Sequence, residues 1–201
     1  LGARNELRTD GARGGIVASN TIMGSEQVGT QKIWGVSIAS ELSGDGQAYA
    51  LVANNTIIGD PTLVSISQAI EAISKRVIVT GNSIANAQIG ILSSHTTDSV
   101  LANGNTFENC TSHAFLISTS VATPTGPFKF NDNQCINCGG SGAATVSIPS
   151  GLPGGIQVND NQFLYSTGTS DILCFSSDSI DTEFCNNYVR NSMAGAFTVY
   201  I

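Results

Sequence analysis

Only eight of the 201 residues are Lys or Arg, against fifteen Asp or Glu, and residues of both signs make up just 11 % of the chain. Nucleic acid is an unsuitable partner for such a chain, because binding it requires several cations along one face to neutralise phosphates. No apolar run reaches the 18 residues of a membrane-spanning helix, so no membrane insertion is expected. Residues 1–15 are polar and carry arginines, unlike a signal peptide. Aromatic residues are scarce at 6 %, with a single Trp. The Lys/Glu/Ala/Leu bias of helical proteins is missing, and small and β-branched residues dominate, which points to strands.

The five cysteines, at 110, 135, 138, 174 and 185, are odd in number and irregularly spaced, unlike a secreted disulfide framework, so folding in a reducing cytoplasm is expected. There is no initiator Met, which suggests a piece of a longer protein. No phosphate-binding glycine loop, dinucleotide fingerprint, Ser/His/Asp triad or spaced pair of metal ligands stands out, so neither cofactor nor metal is expected.

What is present is a repeat. The stretch 77–91, VIVTGNSIANAQIGI, holds three short apolar alternations separated by Gly-Asn and Asn bends. That is one triangular lap of three strands. Aligning an Asn in each lap gives Asn20, Asn55, Asn82, Asn105, Asn133, Asn161 and Asn187. Two residues later stand Ile22, Ile57, Ile84, Phe107, Cys135, Phe163 and Val189. Three residues earlier stand Val17, Val52, Val79, Ala102, Phe130, Val158 and Phe184. Both columns are apolar throughout.

The residues just before the Asn column are Ser19, Asn54, Gly81, Gly104, Asp132, Asp160 and Asn186, types that favour bends and tolerate positive φ. A third strand is expected near Val36/Ile38, Val64/Ile66, Ile89/Ile91, Phe115/Ile117, Val146/Ile148, Ile172/Cys174 and Phe197/Val199. Stacked laps pair each strand with the coils above and below, and a column of Asn can satisfy bend groups from coil to coil. The predicted fold is all-β, a single-stranded right-handed parallel β-helix of about seven coils. It spans residues 15–201 after an N-terminal connector, 1–14. A β-sandwich explains the alternation but not the fixed columns.

Steps such as VTGNSI, LANGNTF and VNDNQF resemble those of right-handed parallel β-helix proteins of the pectate-lyase-like class, phage tailspikes among them. The resemblance implies a module that recognises a bacterial surface polysaccharide, O-antigen or capsule, and depolymerises it in some members. It also implies a homotrimer in a virion tail, assembled in the host cytoplasm and acting outside the bacterium. A free-standing polysaccharide lyase or epimerase and a non-catalytic spike segment are the alternatives. The net charge of −7 favours a neutral or mildly charged glycan.

Chemistry is expected in the loops between strands. Glu41, Asp45, Lys75, Arg76, His95 and Asp98 fall in consecutive laps. They have the residue types for acid/base attack on a sugar, with Glu41, Asp45, Lys75, His95 and Asp98 as catalytic candidates and Arg76 as a binding one. A second edge combines Glu26, Lys32, Asp60, Glu108 and His113 beside Trp34, whose face suits a sugar ring; Trp34, Lys32 and Glu108 are its binding candidates. The plainer reading of the first is a solvated rim where charges gather because strands exclude them, and of Trp34 a cap on the core. The stretch 68–75, QAIEAISK, suggests one or two helical turns. Cys135 and Cys138 fall in inward columns, as space-filling thiols do.

Overall fold

The computed structural model describes residues 7–8, 14–24, 34–38, 49–62, 65–93, 97–118, 126–140, 143–149, 152, 155–166, 173–175, 181–191 and 199–200. Among them every helical or strand element is a strand, and the strands form three parallel sheets. The first sheet stacks Gly14–Ala18, Tyr49–Ala53, Arg76–Thr80, Ser99–Asn103, Phe128–Asn131, Ile156–Asn159 and Thr182–Cys185. The second stacks Thr21–Met23, Thr56–Ile58, Ser83–Ala85, Thr106–Glu108, Gln134–Ile136, Gln162–Tyr165 and Tyr188–Asn191. The third has eight strands: Leu7–Arg8, Trp34–Ile38, Ile66–Ala72, Ala87–Ser93, His113–Ile117, Val146–Ile148, Leu173–Phe175 and Val199–Tyr200. The chain visits the sheets in turn, so each strand pairs with its counterparts in adjacent coils. This is a parallel β-solenoid.

Three columns hold it together. The apolar ones face inward: Val17, Val52, Val79, Ala102, Phe130 and Val158 on the first sheet and Ile57, Ile84, Phe107, Cys135 and Phe163 on the second are at most 1 % exposed. Phe107 and Phe115 both stack on Phe130, with centroids 5.7 and 5.5 Å away, filling the lumen where the coils carry their bulkiest residues. The other column is the asparagine ladder. Asn105 donates its backbone N–H (2.9 Å) and its Nδ2 (3.0 Å) to Asn133 Oδ1, and its Nδ2 also donates to the Val79 carbonyl at 2.9 Å. The same pattern links Asn55 to Asn82, Asn82 to Asn105, Asn133 to Asn161 and Asn161 to Asn187. A bend this deep in the body strands backbone groups from water, and the ladder supplies partners for them.

The bend before each ladder Asn requires left-handed backbone: φ is 59° at Ser19, 54° at Asn54, 64° at Gly81, 65° at Gly104, 54° at Asp132, 58° at Asp160 and 55° at Asn186. Gly, Asn and Asp reach that region at the least cost, which explains the composition of the column.

Three expectations are corrected. Residues 68–75 are not helical, since Ile66–Ala72 is a seven-residue strand paired on both sides, with Trp34–Ile38 and Ala87–Ser93. Two flanking ladders outweigh the weak helical preference of Gln, Ala and Glu. In that coil Ile70 and Ala72 stand opposite Val36 and Ile38; Ile66, expected in that place, is also buried but stands opposite Ala87, and Val64 lies outside the described residues. Further along, Val146 and Ile148 pair with Leu173 and Phe175, one residue beyond the expected Ile172/Cys174. At the N-terminal end, Leu7 pairs with Val36 and Arg8 with Ser37 in the third sheet.

Candidate functional site

Alternation within the first sheet fixes what its outer face carries. With Val77 and Val79 inward, Arg76 and Ile78 point out, and register extends these positions along the stack. One outer column runs Ile16, Leu51, Ile78, Leu101, Lys129, Gln157, Glu183. It is aliphatic over its first four coils, with Ile16 73 % and Ile78 42 % exposed, and polar over the last three. Beside it, Tyr49, Arg76 and Ser99 share a column at the start of the strands.

Where the face turns polar it is hollow. A cavity of about 440 Å³ is lined by Pro127, Lys129, Gly155, Gln157, Asp181, Thr182 and Glu183, within the size range of small-ligand sites. Its walls are positioned by the coil-to-coil ladder. The Phe128 N–H donates to the Gly155 carbonyl (3.1 Å) and the Ile156 N–H to the Asp181 carbonyl (2.9 Å), while Ser99 Oγ donates to the Pro127 carbonyl at 2.8 Å. Gly155 forms the floor because it has no side chain. A Cβ there would approach nothing closer than the Asp181 carbonyl at 3.8 Å. Asp181 turns the chain in the left-handed region, φ 59°. Gln157 Nε2 donates to Glu183 Oε2 at 2.9 Å, which orients that carboxylate.

Chemically the cavity offers one ammonium, one amide and two carboxylates. One cation against two anions leaves a net single negative charge when all are ionised, so the site suits a hydroxyl-rich neutral ligand better than a polyanion. No family model, no curated protein and no solved structure matches the chain. The site is therefore read from its own residues.

Of the residues picked out from the sequence, Glu41, Asp45, His95 and Lys32 lie outside the described residues, as does Glu26. Lys75 and Asp98 do meet: the N–H groups of Asp98 and Ser99 both donate to the Lys75 carbonyl, at 2.9 and 2.8 Å. Arg76 lies over the Tyr49 ring, 5.4 Å from its centroid, and its Nη1 donates to the Tyr49 hydroxyl at 3.1 Å. These residues sit on the same edge as the cavity, since the Arg76 column continues through Ser99 to Pro127, Gly155 and Asp181.

The second edge is divided. Trp34 and His113 share a third-sheet column, with Gln68 and Ile89 between them, and the Trp34 indole N–H donates to Gln68 Oε1. The indole is half-buried and tied to its own column. Glu108 is exposed on the second sheet, and Asp60 is at the corner that follows it. His113 Nδ1–H donates to the Ala144 carbonyl at 2.6 Å; burial lowers its pKa, partly offset by that bond.

Among the described residues no group of three or more His, Cys, Asp or Glu could hold a metal ion. Cys110, Cys135 and Cys138 are free thiols with no exposed surface. The hydrogen bond that the Cys110 S–H makes to Cys138, together with burial, pushes the Cys110 thiol up, and burial does the same for Cys135. Neither is a thiolate at neutral pH, so neither is a nucleophile.

Lys129, Gln157, Asp181, Glu183 and Tyr49 were not picked out from the sequence. Four of them carried a usable signal: counting back four from the ladder asparagines at 133, 161 and 187 gives 129, 157 and 183, and counting back six from Asn187 gives 181. Since the residue three before each ladder Asn faces inward, alternation turns the one four before it outward.

Proposed function

We propose that the chain is a glycan-recognition module of the phage tailspike kind, holding a bacterial surface polysaccharide along the outer face of its first sheet. The observation that carries this reading is the cavity bounded by Lys129, Gln157, Asp181 and Glu183, built across three coils on a stiff stack. A linear polymer lying along the stack axis meets a side chain at the equivalent position of each coil every ~4.8 Å, the strand spacing. The mixture of amide, ammonium and carboxylate groups hydrogen-bonds hydroxyls as both donor and acceptor. Two carboxylates on one wall are the residue types of glycoside hydrolysis, and a single lysine is sparse for β-elimination on an anionic polymer, so hydrolysis is the chemistry this site favours.

The setting we propose is a homotrimeric virion tail, folded in the host cytoplasm and working at the bacterial surface. The buried free thiols suit a reducing compartment during folding, and the outward aliphatic run from Ile16 to Leu101, exposed at Ile16 and Ile78, suits coverage by a neighbouring subunit. The test is incubation with a panel of bacterial surface polysaccharides, reading retention on the protein, fragment size and reducing ends together. Gly155→Leu is the matched variant, because a Cβ there meets nothing closer than the Asp181 carbonyl at 3.8 Å and the residue lines the cavity that a larger side chain would occupy. Retention of a polymer by the wild type and not by Gly155→Leu supports the reading. Equal retention by both removes the cavity from it, and retention by neither leaves a structural rod.

A further inference from the structure

At the corner between the second and third sheets a separate cavity of about 290 Å³ lies against Asp60, Pro61, Asn86, Gln88, Asn109 and Thr111. Successive coils turn here in near-identical fashion. The N–H groups of Gly59, Asn86 and Asn109 donate to the carbonyls of Ala85, Glu108 and Ile136 in the next coil, at 2.8, 2.9 and 2.8 Å. Asn86 and Asn109 both adopt left-handed backbone, φ 55° and 53°. The two amides are linked, with Asn109 Nδ2 donating to Asn86 Oδ1 at 3.4 Å and Asn86 Nδ2 to the Gly59 carbonyl at 3.2 Å. The concavity is therefore part of the solenoid corner itself.

Its chemistry differs from that of the first-sheet cavity. Asp60 is the one ionisable side chain in the lining. Its Oδ1 accepts from both the N–H and the hydroxyl of Thr62, each at 2.7 Å, which engages that oxygen locally. The rest of the polar surface is amide and hydroxyl, neutral and able both to donate and to accept. Gln88 and Thr111 stand exposed at the rim, and the exposed Pro61 ring offers a small apolar wall. The volume lies at the low end for ligand sites, room for one monosaccharide unit.

We infer that this corner is a second carbohydrate subsite, selective for a neutral N-acetylated amino sugar. The acetamido group presents one carbonyl acceptor and one N–H donor, matched by side-chain amides, and a methyl group matched by Pro61. A sugar carboxylate would meet no cation here and would face Asp60. The inference rests on the carbohydrate reading above, but on a different face and different residues, so a failure of one is distinguishable from a failure of the other.

The test is saturation-transfer NMR on the full chain with N-acetylglucosamine, glucose and glucuronic acid as separate probes. Transfer to the acetamido methyl of N-acetylglucosamine is expected, with less to glucose and none to glucuronic acid. The double variant Gln88→Ala/Thr111→Ala removes two rim hydrogen-bonding groups and is expected to weaken binding about tenfold, at unchanged melting temperature. Gly155→Leu is expected to leave it unaltered. Absence of transfer to N-acetylglucosamine, equal transfer to glucuronic acid, survival of binding in the double variant, or its loss in Gly155→Leu would each overturn the inference. Loss of polymer retention in Gly155→Leu with monosaccharide binding intact would separate the two sites.

Discussion

Replacing Asn105 by Ala tests the asparagine ladder at its centre. The side chain is 1 % exposed and makes four hydrogen bonds. Its Oδ1 accepts from the Asn82 N–H at 3.0 Å and from Asn82 Nδ2 at 2.9 Å, and its Nδ2 donates to the Val79 carbonyl and to Asn133 Oδ1. Not all four losses weigh equally. Asn82 Nδ2 keeps the Val52 and Thr80 carbonyls, and Asn133 Oδ1 keeps the backbone N–H of residue 105. The buried Asn82 N–H loses its acceptor, and the Val79 carbonyl loses this donor. At ~1–3 kcal/mol for each buried group left unsatisfied, Asn105→Ala is expected to cost about 2–6 kcal/mol. Asn20→Ala, at the half-buried end of the ladder, is the internal comparison. Asn20 donates to Asn55 Oδ1 and to the Ala18 carbonyl, so its loss leaves groups that water can reach and is expected to cost under about 1 kcal/mol. Urea unfolding followed by circular dichroism measures both, with unchanged m-values as the check that the unfolding unit is the same. Equal costs at Asn105 and Asn20 would refute the argument that the ladder serves to satisfy buried bend groups.

Other outcomes follow from the same geometry. At Gly90 a Cβ would meet the Ala114 carbonyl and the Phe107 ring, each at 2.6 Å, so Gly90→Ala is expected to cost ~1–3 kcal/mol. Gly104→Asn, at φ +65° with open space around it and with Asn54, Asp132, Asp160 and Asn186 adopting the same backbone in other coils, is expected to be near neutral by thermal melting. His113 is held neutral by burial, so its folded pKa lies below the unfolded value. The unfolded chain then takes up a proton first as pH falls through ~6.5, and stability is lost from there down to the depressed folded pKa. His113→Asn should flatten that part of the stability-versus-pH curve, and an unchanged slope would contradict the assignment. Cys185 is exposed while Cys110, Cys135 and Cys138 are buried. A thiol reagent should label Cys185 in the native protein and those three only on unfolding, as peptide mapping would reveal.

The ladder and its two apolar columns were legible in the sequence because each position tolerates so few residue types. At the buried bend Asn bridges consecutive coils through both an acceptor and a donor, and the residue before it must adopt positive φ. The third sheet was less legible. Its strands follow loops of unequal length, and the second bend has no Asn at Gly59 or Tyr165, so nothing anchored the register there. The strand at Ile70/Ala72 was placed six residues early and that at Leu173/Phe175 one residue early. The stretch 68–75 read as helical because Ala and Glu carry local helix preference, which two flanking strands override. Attention to charged loops drew the functional search to Lys75, Arg76 and Asp98. The polar half of the outer column, Lys129, Gln157 and Glu183, stayed hidden because its first four members are aliphatic.

The central claim is that the polar cavity on the first sheet holds a polysaccharide. The most direct measurement is retention of bacterial surface polysaccharides by the wild-type chain beside Gly155→Leu and Lys129→Ala/Glu183→Gln, at matched melting temperature. The account predicts that at least one neutral or mildly charged polymer is retained by the wild type and lost from both variants. Retention that survives both variants, or no retention of any polymer, would contradict it.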